Sequence, residues 1–444
     1  MSVHPVLAIS LVLVALGTCL GVLQACQRRL NLHPEVARKL LHVAMGFAVL
    51  TFPFIFDRAW PVAVLAALSI ALLLAIRRVR ALRGALGGAV HGVSRESWGE
   101  ICFPLAVCVL FFVTNGDPVR FGVPILMLTL ADATAALIGV RYGSVRYATP
   151  DGLKSIEGSA AFFAVAFLST HVPVLLFTDT GRIESLLIGV LMGIVIMLVE
   201  AISWRGLDNL FIPLFGYLLL QRYLGQDAVE LAQRLAVLIA LSFAVLVWRK
   251  RTTLDESGLI AAALVGYATW ALGGWHWLVA PLTGFFTYTL LWPRTDENTA
   301  PFHNAHVVLA VTVPSLVWLA ISARYGQTGW VYFSTLAYAV QLALIGSIQT
   351  RYAFSRGSSR RHPVYSSAIA WAVMFTPFVL LSAQRDAALV LAAAALPLTA
   401  LAVSAFLLLK RRLAKSAGGH RWALHAAIGG AATVAAVPAW TALV

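Results

Sequence analysis

The chain has 444 residues, 60% of them hydrophobic and 12% charged, with a mean hydropathy of +0.84. A soluble domain of that composition would leave far too much apolar surface in water. The formal net charge of +14 first suggests nucleic acid, but the placement of the basic residues, set out below, argues against a nucleic-acid partner.

Apolar runs follow one another near residues 5–26, 40–56, 60–76, 101–113, 120–140, 158–178, 184–203, 208–222, 231–248, 257–272, 275–292, 305–323, 328–349, 366–384, 386–410 and 421–443. Most have the length of a bilayer crossing, with 101–113 and 208–222 short for one. The pattern predicts an all-α, polytopic transmembrane bundle of roughly 14–16 helices. No positive residue precedes the first run, and Arg28 and Arg29 follow it. That is the reverse of a signal peptide, so the expectation is an uncleaved first helix with its N-terminus outside. Numbered from there, the loops after odd runs hold 26 of the 33 Lys and Arg, and the loops after even runs hold 7. This positive-inside asymmetry predicts both termini outside and the odd loops cytoplasmic, in the cell (inner) membrane. The basic excess is then topology plus contact with anionic headgroups. Cys19, Cys26, Cys102 and Cys108 lie in or beside apolar runs with no metal-type spacing, and read as packing residues.

A polar stretch, "QRYLGQDAVELAQR" (221–234), is the expected boundary between a first domain, 1–226, and a second, 227–444. Polar residues with the look of motifs concentrate before it.

In "LTLADATAALIGVRYG" (128–143), Asp132 lies inside an apolar run, nine residues before Arg141. At helical rise that is about 13 Å from the basic end. A lone carboxylate at such depth costs at least about 2.5–3.5 kcal/mol, so it should face a cavity, a partner or a metal. Asp132, Ala135, Gly139 and Gly143 share one helical face, which puts a small-residue groove below the acid. Close helix packing around a protonated Asp132 is the alternative.

The loop "DGLKSIEGSA" (151–160) follows on the expected cytoplasmic side. Lys154 can neutralise phosphate oxygens, and Ser155, Ser159 and the backbone at Gly158 can donate to them, at the start of a helix. The plainer reading makes Ser155 a helix N-cap and Lys154 a positive-inside residue. "ARKLLHVAMG" (37–46) sets Arg38 and His42 at i, i+4, for the site or for headgroup contact. "EAISWRGLDNLFIPL" (200–214) offers Glu200, Asp208 and Asn209, oxygen donors of the kind that hold Mg²⁺ beside phosphates; a turn and cap is the alternative there. All three patches fall on one expected face, where nucleotides are found.

Four stretches, "RKLLHVAMG", "SWGEICFPLA", "DATAALIGVRYG" with "KSIEGS", and "GLDNLFIPL", together resemble the polyprenol/phytol/dolichol kinase family, a distant relative of the phosphatidate cytidylyltransferases. They span residues 38–214. Ser155 and Ser159 stand where dolichol kinases favour Thr, which keeps the hydroxyls. The resemblance implies CTP-dependent phosphorylation of a long isoprenoid alcohol. It implies Asp132 and Asp208 as catalytic or metal-binding acids, with Asn209 and Glu200 completing the Mg²⁺ set. Lys154, Ser155, Glu157, Gly158 and Ser159 would hold the nucleotide phosphates, and Arg38, Lys39 and His42 would line the same site. CDP-lipid synthesis by a cytidylyltransferase, and a transporter or scaffold without catalysis, are the other readings. In the second half, "LDESGLIAAALVGYATWALGG" (254–274) and "HNAHVVLAV" (303–311) faintly resemble the membrane family that includes phytyl-phosphate kinase. No acid occurs at "AYAVQLALIGSIQ" (337–349), where that family has a cluster, so this half reads as non-catalytic. Its acid pairs are Asp255–Glu256 and Asp296–Glu297, and its basic stretch is "SRGSSRRH" (355–362).

Overall fold

The computed structural model describes residues 5–30, 34–78, 98–291, 303–326, 328–353, 362–413 and 419–442. Asp296, Glu297 and residues 355–361 lie outside them. Ten helices among the described residues are long and apolar enough to cross a membrane by length and composition, and three shorter apolar helices accompany them. The protein is thus an all-α polytopic membrane protein. The chain divides into two compact units, Met1–Ala236 and Val237–Val444.

The first unit runs α1 (Pro5–Leu30), α2 (Pro34–Leu50), α3 (Phe52–Ile55), α4 (Ala59–Arg78), α5 (Gly99–Thr114) and α6 (Pro118–Leu126). A π-helical turn, Met127–Ala131, joins α6 to α7 (Asp132–Tyr142). Then come β1 (Arg146–Thr149), β2 (Gly152–Ser155), α8 (Ile156–Phe177), α9 (Arg182–Ile202), α10 (Asp208–Tyr223) and α11 (Ala228–Trp248), in which the division between units falls. The spans Arg182–Ile202 and Pro118–Tyr142 are the most enclosed, and they form the centre of this unit.

Local chemistry sets several of these boundaries. Asp117 caps α6 by accepting from the Arg120 N–H at 2.7 Å, with Pro118 at the first helical position, where its missing N–H costs nothing. Ser155 caps α8 by accepting from the Gly158 N–H at 3.1 Å. Helix α5 stops at Asn115, whose φ of +49° suits a left-handed C-cap.

Helices α7 and α8 approach closely through the small-residue face read from the sequence. A Cβ on Gly158 would lie 2.9 Å from the Ala135 carbonyl oxygen, and one on Gly139 would lie 3.1 Å from Ser155 Oγ. Small residues let backbones meet in this way where no hydrophobic effect drives helices together. Helix α2 reaches the π turn by the same device, since the Thr129 side chain fills the space a Cβ on Gly46 would need.

Two features depart from the sequence expectation. The span carrying Asp132 is interrupted by the π turn immediately before the acid. The loop after it contains an antiparallel hairpin that pairs Arg146 with Ser155 and Thr149 with Gly152. Four-residue strands carry too little pattern to be read beside bilayer-length runs.

The second unit continues with α12 (Glu256–Gly273), α13 (Trp275–Leu291), α14 (Ala305–Tyr325), α15 (Val331–Ala353), α16 (His362–Leu381), α17 (Arg385–Leu413), α18 (Gly419–Ala435) and α19 (Val437–Thr441). Helix α15 is its core element: Tyr332, Phe333, Leu336, Val340 and Leu344 are fully buried, and Phe333 stacks on Trp318 at 4.2 Å. Asp255 caps α12 through the Gly258 N–H at 2.8 Å. The two stretches singled out in this half meet, since the Ala305 N–H donates to Ser257 Oγ at 3.0 Å and His303 Nδ1 lies 2.9 Å from Thr253 Oγ1.

Candidate active site

The polar residues of the first unit gather where α2, α7, the hairpin, α9 and α10 meet. Asp132 opens α7 directly after the π turn, a helix defect that often accompanies functional sites. Its Oδ2 accepts from Lys39 Nζ at 2.6 Å, and both side chains are about nine-tenths buried (7% and 10% exposed). His42, one turn further along α2, places Nε2 3.8 Å from the same oxygen and donates from Nε2 to the Leu128 carbonyl at 3.2 Å. That carbonyl belongs to the π turn. Lys39 and His42 therefore share the face turned to Asp132. Arg38, paired with His42 in the sequence reading, is exposed, and its charge acts on Asp132.

A second ion pair lies beside the first. Lys154 on β2 donates to Glu200 Oε1 and to the Glu200 carbonyl, both at 2.6 Å. Burial works against the Lys154 charge, but the Glu200 carboxylate more than offsets it, and the ammonium is held above the ordinary lysine range. Lys154 is a permanent cation at any physiological pH.

Asp208 opens α10 and feels the charges of Asp132, Lys154 and Lys39. Glu200 likewise feels both aspartates. Three carboxylates and two lysines thus act on one another at one end of the bundle. The Asn209 N–H donates to Asp208 Oδ1 at 3.0 Å.

The remaining expected residues serve the frame around these charges. Ser155 Oγ is engaged by the α8 cap, and Gly158 lies against Ala135 and Gly139. Glu157 Oε1 accepts from the Ser144 N–H at 3.0 Å, the Val145 N–H at 3.2 Å and the Ser144 hydroxyl, which fastens the end of α7 to the start of α8. The hydroxyl of Ser159 shares a 2.7 Å hydrogen bond with Tyr147.

Tyr147 escaped the sequence reading. It pairs with Lys154 across the hairpin, and burial pushes its phenol up in pKa, so it stays a protonated donor. The signal that could have found it is "TPDG" (149–152), a turn sequence of the kind that joins paired strands.

Among the described residues, no group of three His, Cys, Asp or Glu side chains is arranged to hold a metal ion by itself. The carboxylates are instead compensated by lysines, an arrangement that a ligand bringing both negative phosphates and a cation could exchange. A comparison with known proteins sharpens this. Over 189 residues the chain is 30% identical to the phytol kinase of Synechocystis sp., a match that covers 42% of this chain and 78% of that protein. The chain belongs to the phytol kinase family. No family model matches it, and no solved structure matches it.

Proposed function

We propose that this protein transfers the γ-phosphoryl group of CTP to the terminal hydroxyl of a long-chain isoprenoid alcohol of the phytol, polyprenol or dolichol type, at the cytoplasmic face of the membrane. Kinship with phytol kinase supports the reaction class. The observation that carries the site assignment is Asp132, an acid within a membrane-length helix, joined to Lys39 and surrounded by Lys154, Glu200 and Asp208. The 26-to-7 division of basic residues supports the cytoplasmic face.

Phosphoryl transfer asks mainly for positioning and charge neutralisation, with one acid to take the hydroxyl proton. A lipid alcohol entering from the bilayer meets Asp132 first, because Asp132 lies deeper along its span than the loop residues. The Asp132 carboxylate accepts the proton as the alcohol oxygen bonds to the γ-phosphorus, and the bond to the β-phosphate oxygen breaks to release CDP. Lys39 and Lys154 then turn from their carboxylates to the phosphate oxygens, and Arg38 adds a cation at the exposed side. Asp132 and Glu200, so released, together with Asp208 and the Asn209 side chain, are hard oxygen donors that would fit Mg²⁺. That ion commonly takes one or two carboxylates and completes its shell with phosphate and water, so the lack of a closed protein cage suits it. When bound it would neutralise charge developing on the transferred phosphoryl group.

Purified full-length protein with Mg²⁺, labelled CTP or ATP and a panel of prenols tests the proposal. The expected products are a prenyl monophosphate and CDP. Pyrophosphate and a CDP-lipid would replace the reading with a cytidylyltransferase, and no lipid product with any donor would overturn it.

A further inference from the structure

The loop that presents Asp208 is held in shape from outside itself. Arg205 has φ +51°, one of two positive values at non-glycine positions among the described residues, and Gly206 follows at +81°. A side chain in that region is unfavourable unless its surroundings insist on it. Here they do so at both polar groups of the residue. The Arg205 N–H donates to Asp151 Oδ2 at 2.5 Å, and its carbonyl accepts from the Trp98 N–H at 2.8 Å. The Leu207 N–H then closes on the Trp204 carbonyl at 3.0 Å, and α10 begins at Asp208.

Asp151 stands in the hairpin turn between β1 and β2. That turn has its own bond, from Thr149 Oγ1 to the Gly152 carbonyl at 2.9 Å, so the Asp151 carboxylate is not needed to close it. Instead it reaches a residue 54 positions away. Three residues later the same hairpin sends Lys154 to Glu200, at the other side of the same connection between α9 and α10. The hairpin is therefore fastened to that connection twice, once by an ion pair and once by a carboxylate on a backbone amide. Trp98, from the stretch whose Phe103 lies edge-on to His42, completes the hold through its backbone.

We propose that Asp151 is a positioning residue for the phosphoryl transfer, acting through Arg205 to fix Asp208 in register with Lys154. This rests on the kinase reading above. The contact needs an acceptor oxygen and not a charge, so Asp151→Asn keeps it and Asp151→Ala removes it.

The test compares full-length wild type, Asp151→Ala, Asp151→Asn and, as a control for the turn, Thr149→Ala. A displaced catalytic group lowers kcat more than it weakens substrate binding. Asp151→Ala should lose at least about tenfold in kcat with KM for prenol and nucleotide changed less than about threefold, in line with the cost of slight misplacement. Asp151→Asn should recover most of that loss, and Thr149→Ala should keep near-normal turnover. Amide hydrogen exchange at residues 205–209 should quicken in Asp151→Ala alone. Wild-type turnover and unchanged exchange in Asp151→Ala would overturn the proposal, as would equal losses in the Ala and Asn variants. A wild-type protein inactive with every donor and prenol would sink the kinase reading instead, and the exchange at Arg205 alone would then decide the clamp.

Discussion

Replacing Lys39 by Met would leave the Asp132 carboxylate enclosed without the ammonium that now lies 2.6 Å from it. Breaking one side of a buried ion pair costs about 3–5 kcal/mol, whereas removing both charges together is often close to neutral. Both side chains keep about a tenth of their surface exposed, which puts Lys39→Met near the lower end, at about 3 kcal/mol. Asp132→Asn strands Lys39 with only an amide and the Asp132 carbonyl at 3.5 Å, for a similar loss. The double variant should lose only about 1–2 kcal/mol, a coupling of roughly 4 kcal/mol between the two sites. At roughly 2–4 °C per kcal/mol for a unit of this size, each single variant should unfold some 6–12 °C early and the double variant far less. Thermal unfolding of the purified protein in detergent, read by intrinsic fluorescence, measures all four states. A double variant whose loss equals the sum of the two singles would refute the pairing. Phosphorylation should vanish in both variants that carry Asp132→Asn, whatever their stability.

The Lys154 pKa is raised in the folded protein, so its contribution is fully present below the ordinary lysine value and lost as pH climbs through the higher folded value. Unfolding midpoints of wild type and Lys154→Met should therefore stay apart through neutral pH and converge only in stronger alkali; convergence near neutrality would contradict the pair with Glu200. Gly158→Ala forces a methyl to within 2.9 Å of the Ala135 carbonyl, and should cost about 1–3 kcal/mol and reduce turnover by shifting the hairpin, as parallel melting and activity assays would reveal. Asp255→Ala removes the α12 cap and should cost about 0.5–2 kcal/mol of stability in the second unit, with alcohol phosphorylation by the full chain preserved. Loss of phosphorylation in a stably folded Asp255→Ala protein would give that unit a catalytic part.

Much of the helical frame was legible because bilayer-length apolar runs are long and strongly patterned. The runs expected at 158–178 and 184–203 appear as Ile156–Phe177 and Arg182–Ile202. The burial of Asp132 within its apolar run and the small-residue face below it were likewise readable, since both follow from helical spacing. Partnership was not. Lys39 meets an acid 93 positions away, and no local period says which of two adjacent cations, Arg38 or Lys39, turns inward. Spacing favoured Arg38 with His42 at i, i+4, whereas the packing of α2 on the π turn puts Lys39 and His42, at i, i+3, over the acid. The hairpin was hard to see for a different reason. Beyond the turn sequence at 149–152 its four-residue strands carry little pattern, and they are held by what they touch, Glu200 and the loop at Arg205.

The π turn ahead of Asp132 contains one residue more than an α-helical turn would hold. Each residue of an α-helix turns the chain by about 100°, so the faces of α6 and α7 are out of phase by about that angle. One membrane crossing can in this way offer one side to its neighbours in its first half and another side to the lysines in its second. The phase change depends on a count of residues, whereas the packing of α2 on the turn depends on which residues they are. Deleting any single position from 127 to 131 would leave hydropathy and charge essentially as they are, yet it would swing Asp132 and Gly139 together away from Lys39 and Ser155. At this point the protein should be less tolerant of a change in length than of a volume-conserving exchange of one buried side chain for another.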